Sequence, residues 1–139
     1  MNPKVKAQWV SALRSGKYHQ GKNLLRPNED TYCCLGVLCD LAEKESIGKY
    51  DRSKEHMGYT FWYDNSFEER WNEDSELPYP VMKWAKLESE NPKIKMNEKN
   101  IKEGYKNIIR EDSLITLAEL NDNFAYTFNE LADLIEEQL

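Results

Sequence analysis

Three cysteines, Cys33, Cys34 and Cys39, stand within one apolar run, Tyr32-Cys33-Cys34-Leu35-Gly36-Val37-Leu38-Cys39-Asp40-Leu41-Ala42. They are the residues that most directly invite a chemical reading, because thiolates bind zinc or attack carbonyls. The spacing argues against zinc. No pair forms Cys-x-x-Cys, neither His19 nor His56 lies at a paired spacing to them, and a closed site takes four ligands. No metal and no cofactor are expected. A nucleophile fits better. Cys34 would open a helix, whose N-terminus lowers a thiol's pKa. His56 would then be the base and Asp64 the group that orients it, giving a Cys/His hydrolase. The competing reading is three small core side chains.

A second chemistry-bearing group is aromatic. Tyr59, Phe61, Trp62, Tyr63, Trp71, Tyr79 and Trp84 crowd one region of the chain. Ring faces stack nucleobases, and Arg14, Arg26 or Arg110 would take phosphates. Alternation along a strand puts Tyr59, Phe61 and Tyr63 on one face and Trp62 on the other. One face belongs to the core and the other to a pocket or contact surface.

The totals narrow the partners. With 25 acidic against 19 basic residues the formal charge is −6, so the overall field repels nucleic acid and anionic membrane. The basic residues Lys4, Lys6, Arg14, Lys17, Lys22 and Arg26 precede the first acid, Glu29. That asymmetry reads first as differently charged solvated faces. No apolar run approaches the roughly 18 residues of a membrane span, and the N-terminus is polar and charged. An odd cysteine count without a leader suggests reduced thiols and a cytoplasmic protein. At 139 residues, 40% hydrophobic and 32% charged, the chain suits a single globular domain over 1–139.

The elements follow from periodicity. Val5, Trp9, Ala12 and Leu13 predict a helix from Pro3 to Ser15. Asn23-Leu24-Leu25 and Thr31-Tyr32-Cys33 suggest a hairpin across the Pro27–Asp30 turn. Cys34, Val37, Leu38 and Leu41 mark a helix from Cys34 to Lys44, buried nearly all round. Gly36 inside it implies close approach by a neighbour. Tyr59–Tyr63 reads as a strand, and Glu68–Glu73 as a helical turn or loop. A helix opening near Pro80 carries Val81, Trp84 and Ala85. Lys93–Lys106 reads as an exposed strand or loop. Asp112 or Ser113 would cap a helix bearing Leu114, Leu117 and Leu120. Asn121-Asp122-Asn123 would turn the chain, and Thr127-Phe128-Asn129-Glu130 forms a capping box for a last helix to Leu139. That final pair is a helix-turn-helix only geometrically. Its second helix is acidic and the chain ends where a recognition helix should begin, so DNA reading is not expected.

Two resemblances add context. Cys34-Leu35-Gly36-Val37 resembles the Cys-Ser-Gly-apolar-Val helix of NlpC/P60-type cysteine peptidases, which place a histidine on a following strand. Here Leu35 replaces the small polar residue, and the interval from Cys34 to His56 is short for that family. More of the chain looks like a group of small uncharacterised proteins of phages, prophages and mobile elements. The matching residues are Trp9-Val10…Ala12-Leu13-Arg14-Ser15-Gly16, Gln20-Gly21, Leu25-Arg26, the Tyr32–Ala42 run, Leu77-Pro78, Val81…Trp84-Ala85 and Asn91-Pro92. Toward the C-terminus they are Leu117-Ala118…Leu120-Asn121-Asp122, Thr127-Phe128, Ala132-Asp133 and Ile135-Glu136. The resemblance implies an accessory protein that binds a host protein, blocks a defence complex or sequesters a defence signal. The polar residues inside the shared pattern are Arg14, Gln20, Arg26, Asp40, Asn121 and Asp122. Asp40 would pair with Arg26 or Arg14, Asn121-Asp122 would form an Asx turn, and together they would line one site.

The expectation is therefore one α+β domain, about four helices around a buried central helix with a small antiparallel sheet. Its expected function is non-enzymatic: a phage or mobile-element accessory protein engaging a host factor or defence component in the cytoplasm of an infected or lysogenic bacterium. The alternatives are sequestration of a nucleotide-like signal and a Cys/His hydrolase. The binding candidates are Arg14, Gln20, Arg26, Asp40, Trp62, Trp84, Asn121 and Asp122. The catalytic candidates are Cys34, His56 and Asp64. A homo-oligomer is compatible with all of these readings.

Overall fold

The computed structural model describes residues 1–51, 58–64 and 70–139. It is an α+β fold organised on helix α2 (Cys34–Lys44), in which every residue from Cys34 to Asp40 is buried, and Ala42 as well. Cys33 caps it with an extended backbone, and its sulfur accepts from the Gly36 N–H at 3.4 Å. Helix α1 (Pro3–Arg14) starts at Pro3, where a missing N–H costs nothing. Asn2 caps it by accepting from the N–H groups of Lys4 and Val5. Its stripe of Val5, Trp9, Val10 and Leu13 faces inward, and Trp9 Nε1 donates to the Cys34 carbonyl at 2.9 Å. Helix α5 (Phe128–Gln138) packs along α1 and opens on the expected capping box of Thr127 and Glu130. Among the described residues no helix is long and apolar enough to cross a membrane.

Short sheets complete the cover. Strands β3 (Lys49–Tyr50), β4 (Phe61–Asp64) and β5 (Arg70–Glu73) form an antiparallel sheet in which Tyr50 pairs with Phe61. Residues 70–73, expected as a helical turn or loop, are thus a strand paired along β4. Helix α3 (Tyr79–Ala85) begins one residue before Pro80. Strands β6 (Lys93–Lys95) and β7 (Leu114–Thr116) pair antiparallel. The helix expected from Ser113 therefore starts later, as α4 (Leu117–Asp122), capped by Thr116. Pairing with β6 takes Leu114 out of the helical pattern and leaves it exposed, while Ile115 faces the core. Asn121 and Asp122 close α4 rather than forming the turn after it. The segment 93–106 is more deeply set than its polar composition suggests, with Ile94, Met96 and Ile101 all buried. Gln138 seals the outer edge of β6 by bonding both the N–H and the C=O of Lys95.

The predicted hairpin is replaced by a parallel pair, β1 (His19–Gln20) with β2 (Thr31–Tyr32). Leu25 cannot join a regular hairpin because its two backbone groups serve different partners. Its N–H donates to the Asp74 carbonyl at 2.6 Å, and its C=O accepts from Cys33 at 3.1 Å. This segment crosses the first turn of α2 so closely that any Cβ at Gly36 would overlap the Leu25 carbonyl. The expected close approach at Gly36 is thus made by residue 25. Tyr50 pins the same turn, donating from its hydroxyl to the Gly36 carbonyl at 2.9 Å.

Candidate functional site

Arg26 follows Leu25 and emerges at the junction of α2 with the three-stranded sheet. Its own carbonyl is held by the Tyr59 N–H at 2.8 Å. Gly58 makes that approach at φ +92°, where a Cβ would also meet the Leu24 side chain. The residue is only 7% exposed. Three tyrosine rings surround it, with centroids 4.8 Å (Tyr32), 5.2 Å (Tyr50) and 4.5 Å (Tyr59) from Cζ. Nη2 donates to the Glu29 carbonyl at 2.8 Å, whereas Nε and Nη1 are buried without an acceptor among the described residues. Among the described residues no carboxylate forms an ion pair with it. Each ring contact contributes about 0.5–2 kcal/mol, and each buried N–H lacking an acceptor costs about 1–3 kcal/mol. The rings hold the charge, yet its hydrogen bonding is incomplete.

The rings continue outward. Tyr18 meets Tyr32 edge-on at 5.2 Å, Tyr32 meets Tyr50 at 6.2 Å, and Tyr50 meets Phe61 at 5.1 Å. Burial pushes the Tyr32 phenol up to about 12, against a smaller opposing pull from Arg26. Asp40 lies at the Tyr18 end of this row. Its Oδ2 accepts from the Tyr18 hydroxyl at 2.5 Å and from Lys44 Nζ at 2.8 Å, one helical turn along α2. The hydrogen bond to Asp40 raises the Lys44 pKa, and the Tyr18 phenol is raised first by burial and then by Asp40. The expected pairing of Asp40 with Arg26 or Arg14 is therefore not made. Lys44 is the nearer cation, and the Tyr32 ring contacts both Tyr18 and Arg26 between the two charges. Arg14 instead joins α1 to α5, donating to Asp133 at 2.5 Å and Glu136 at 2.7 Å. Those hydrogen bonds raise the Arg14 pKa and lower that of Glu136.

Gln20, Asn121 and Asp122 do come together, as a clasp. Gln20 Nε2 donates to Asn121 Oδ1 at 2.8 Å and to the Tyr126 carbonyl at 2.7 Å, while its Oε1 accepts from the Phe128 N–H at 3.1 Å. Asn121, fully buried, donates from Nδ2 to the Gly21 carbonyl at 2.8 Å and to Asp122 Oδ1 at 2.7 Å. Each amide atom has a partner, and the clasp ties β1 to the junction of α4 and α5. The one polar site expected from Arg14, Gln20, Arg26, Asp40, Asn121 and Asp122 is thus four separate centres.

The remaining candidates divide as follows. Cys34 is fully buried, and its thiol donates to the Leu117 carbonyl at 3.6 Å. Burial raises its pKa well above the usual thiol value, overriding the helix N-terminus expected to lower it. Cys33 is pushed up to about 12 in the same way, and Cys39 is raised too. His56 lies outside the described residues. Asp64 ends β4 opposite Arg70. Trp62 donates from Nε1 to Asp51 at 3.1 Å, and Trp84 is half-buried against the core from α3. Among the described residues no group of three or more His, Cys, Asp or Glu is placed to hold a metal. Sequence reasoning missed Tyr32 and Tyr50 as partners of Arg26, and Tyr18 as the partner of Asp40. Only Tyr59 carried a signal, through its place in the aromatic region.

A family model described as a domain of unknown function, DUF8296, matches residues 1–139, and the chain belongs to that family. No curated protein and no solved structure matches it.

Proposed function

We propose that this DUF8296 protein works by binding rather than by catalysis, as a phage or mobile-element accessory protein that engages a host factor or defence component in the bacterial cytoplasm. The observation that supports binding is Arg26, a buried cation in a cage of three tyrosines, two of whose nitrogens, Nε and Nη1, lack acceptors among the described residues. An incoming acceptor would supply hydrogen bonds that the fold itself does not provide. The same guanidinium favours a second reading, sequestration of a nucleotide-like signal, because arginine forks match phosphate oxygens. The hydrolase reading has no comparable support, since the Cys34 thiol is buried, bonded to a carbonyl and held protonated.

The test uses immobilised wild type and Arg26→Ala side by side, incubated with extracts of the bacterial host before and during infection. Proteins and small molecules retained on each are identified by mass spectrometry, and thermal melts establish that both variants are folded. The expected result is a specific protein or small molecule held by the wild type and lost from Arg26→Ala. Recovery of nothing specific in either fraction overturns the binding proposal.

A further inference from the structure

We infer that Arg26 is the anchor of an oxyanion subsite, and that its occupant is a phosphate of a small phosphorylated molecule; this rests on the binding reading and names the ligand chemistry of that site. The first support is the pattern of unmet donors. Glu29 occupies one hydrogen of Nη2, while Nε and Nη1 flank that nitrogen and lack acceptors. Whichever edge Glu29 takes, the other edge retains a two-hydrogen fork, which is the match for paired oxygens of phosphate or carboxylate. The donor beyond the fork decides between them. A planar carboxylate covers one edge and leaves the N–H on the other side of Nη2 unpaired. A phosphate or diphosphate brings three or more oxygens and more charge to the N–H hydrogens that Nε and Nη1 leave unmet.

The second support is the absence of a counter-charge. Arg14, Lys44, Lys95, Lys102 and Lys106 each have a carboxylate partner, whereas Arg26, more deeply buried than any of them, has none among the described residues. The two acids of α2 that lie toward Tyr32 are engaged by other groups. Asp40 is held by Tyr18 and Lys44, and Glu43 Oε1 accepts from the Tyr50 N–H at 3.0 Å. The third support is placement. Arg26 lies beside the half-buried Pro27 and Tyr59, and the Tyr59 ring covers the guanidinium. The Tyr59 N–H holds the Arg26 carbonyl, and Cys33 and Asp74 hold the preceding Leu25, so the donors are positioned before any ligand arrives.

The decisive experiment follows the arginine Nε–H resonances of the full ¹⁵N-labelled chain, with the Arg26 signal identified by its loss in Arg26→Lys. Inorganic phosphate, pyrophosphate, ADP and acetate are titrated separately to about 10 mM, the range that detects millimolar affinity, at matched ionic strength. The expected result is a saturable shift of the Arg26 signal with pyrophosphate and ADP in the wild type, and an affinity read from the neighbouring backbone amides that falls about tenfold or more in Arg26→Lys, which keeps the charge and loses the fork. Acetate should leave it in place. No movement with any phosphate overturns the subsite. An equal response to acetate assigns it to carboxylates and overturns the phosphate ligand. Backbone shifts that persist unchanged in Arg26→Lys place the anion elsewhere and also overturn it. Failure here with a protein retained in the extract experiment removes the phosphate subsite alone. Pyrophosphate binding with nothing retained from extract removes the accessory-protein reading and leaves the subsite standing.

Discussion

Two polar centres are built against the same central helix, and they are finished differently. In the Gln20–Asn121 clasp, both amides have every donor and acceptor engaged, and the bonds join segments about a hundred residues apart in sequence. Around Arg26 the backbone is just as firmly held, yet two side-chain donors go unmet. A polar group that serves only the fold is normally satisfied by the fold, because leaving it unmet costs stability with no return. The contrast sets the clasp apart as architecture and is what supports the proposal that Arg26 binds. The cysteines, which carry the most obvious chemical promise, fall on the architectural side.

The largest effect is expected from alkali, which attacks the core on which both centres rest. Burial holds the Cys33 thiol and the Tyr32 phenol protonated to about 12, against ordinary values of 9.0 and 10.0, and it raises Cys34, Cys39 and Tyr50 as well. The unfolded chain releases these protons first. Their contribution is therefore whole below about pH 9 and is lost as pH climbs toward 12. Urea unfolding midpoints measured from pH 7 to 11 should fall steeply above pH 9. In native conditions a thiol reagent should label none of the three cysteines quickly. Rapid labelling at neutral pH would show that α2 is less enclosed than described.

Next in size is Gly36→Ala, which forces α2 away from the Leu25 carbonyl and so disturbs the segment bearing Arg26. A loss of about 3 kcal/mol or more is expected, the scale of overpacking against backbone, measured by equilibrium unfolding. Asn121→Ala should cost about 2–4 kcal/mol, because it strands the Gln20 amide and the Gly21 carbonyl together. A double-mutant cycle with Gln20→Ala should show strong coupling. Arg26→Met should have the smallest effect on stability, within about 1 kcal/mol of wild type, since it removes unmet donors along with the ring contacts. That variant sharpens the comparison most. If it costs as much as Asn121→Ala, Arg26 is a structural plug and the two centres are alike.

Much of the helical framework was legible in the residues. The Tyr32–Ala42 run implied a buried helix, and α2 begins at Cys34 as its apolar face indicates. Thr127 and Glu130 spelled out a capping box that is present. Gly36 implied a close neighbour without saying which. The strands were harder to read because they are two to four residues long, too short for a period to register. Leu114, Leu117 and Leu120 fit a helical spacing, yet pairing with Lys93–Lys95 claims Leu114 for a strand. The parallel pairing of His19–Gln20 with Thr31–Tyr32 has no turn signature, and the hairpin that had one was displaced when Asp74 took the Leu25 N–H.

What the sequence determined by itself is what depends on neighbours a few residues apart: caps, apolar helical faces and the burial of the cysteine-bearing run. What only the tertiary structure decided is which polar side chains are satisfied. Arg26, Asp40, Gln20 and Asn121 looked alike as polar residues of one pattern, and three of them find partners. Arg26 meets Tyr32, Tyr50 and Tyr59 instead, rings brought from separate segments. Saturation of a hydrogen-bond donor is a property of space rather than of spacing along the chain, and that is the physical reason the candidate site becomes visible only in the fold.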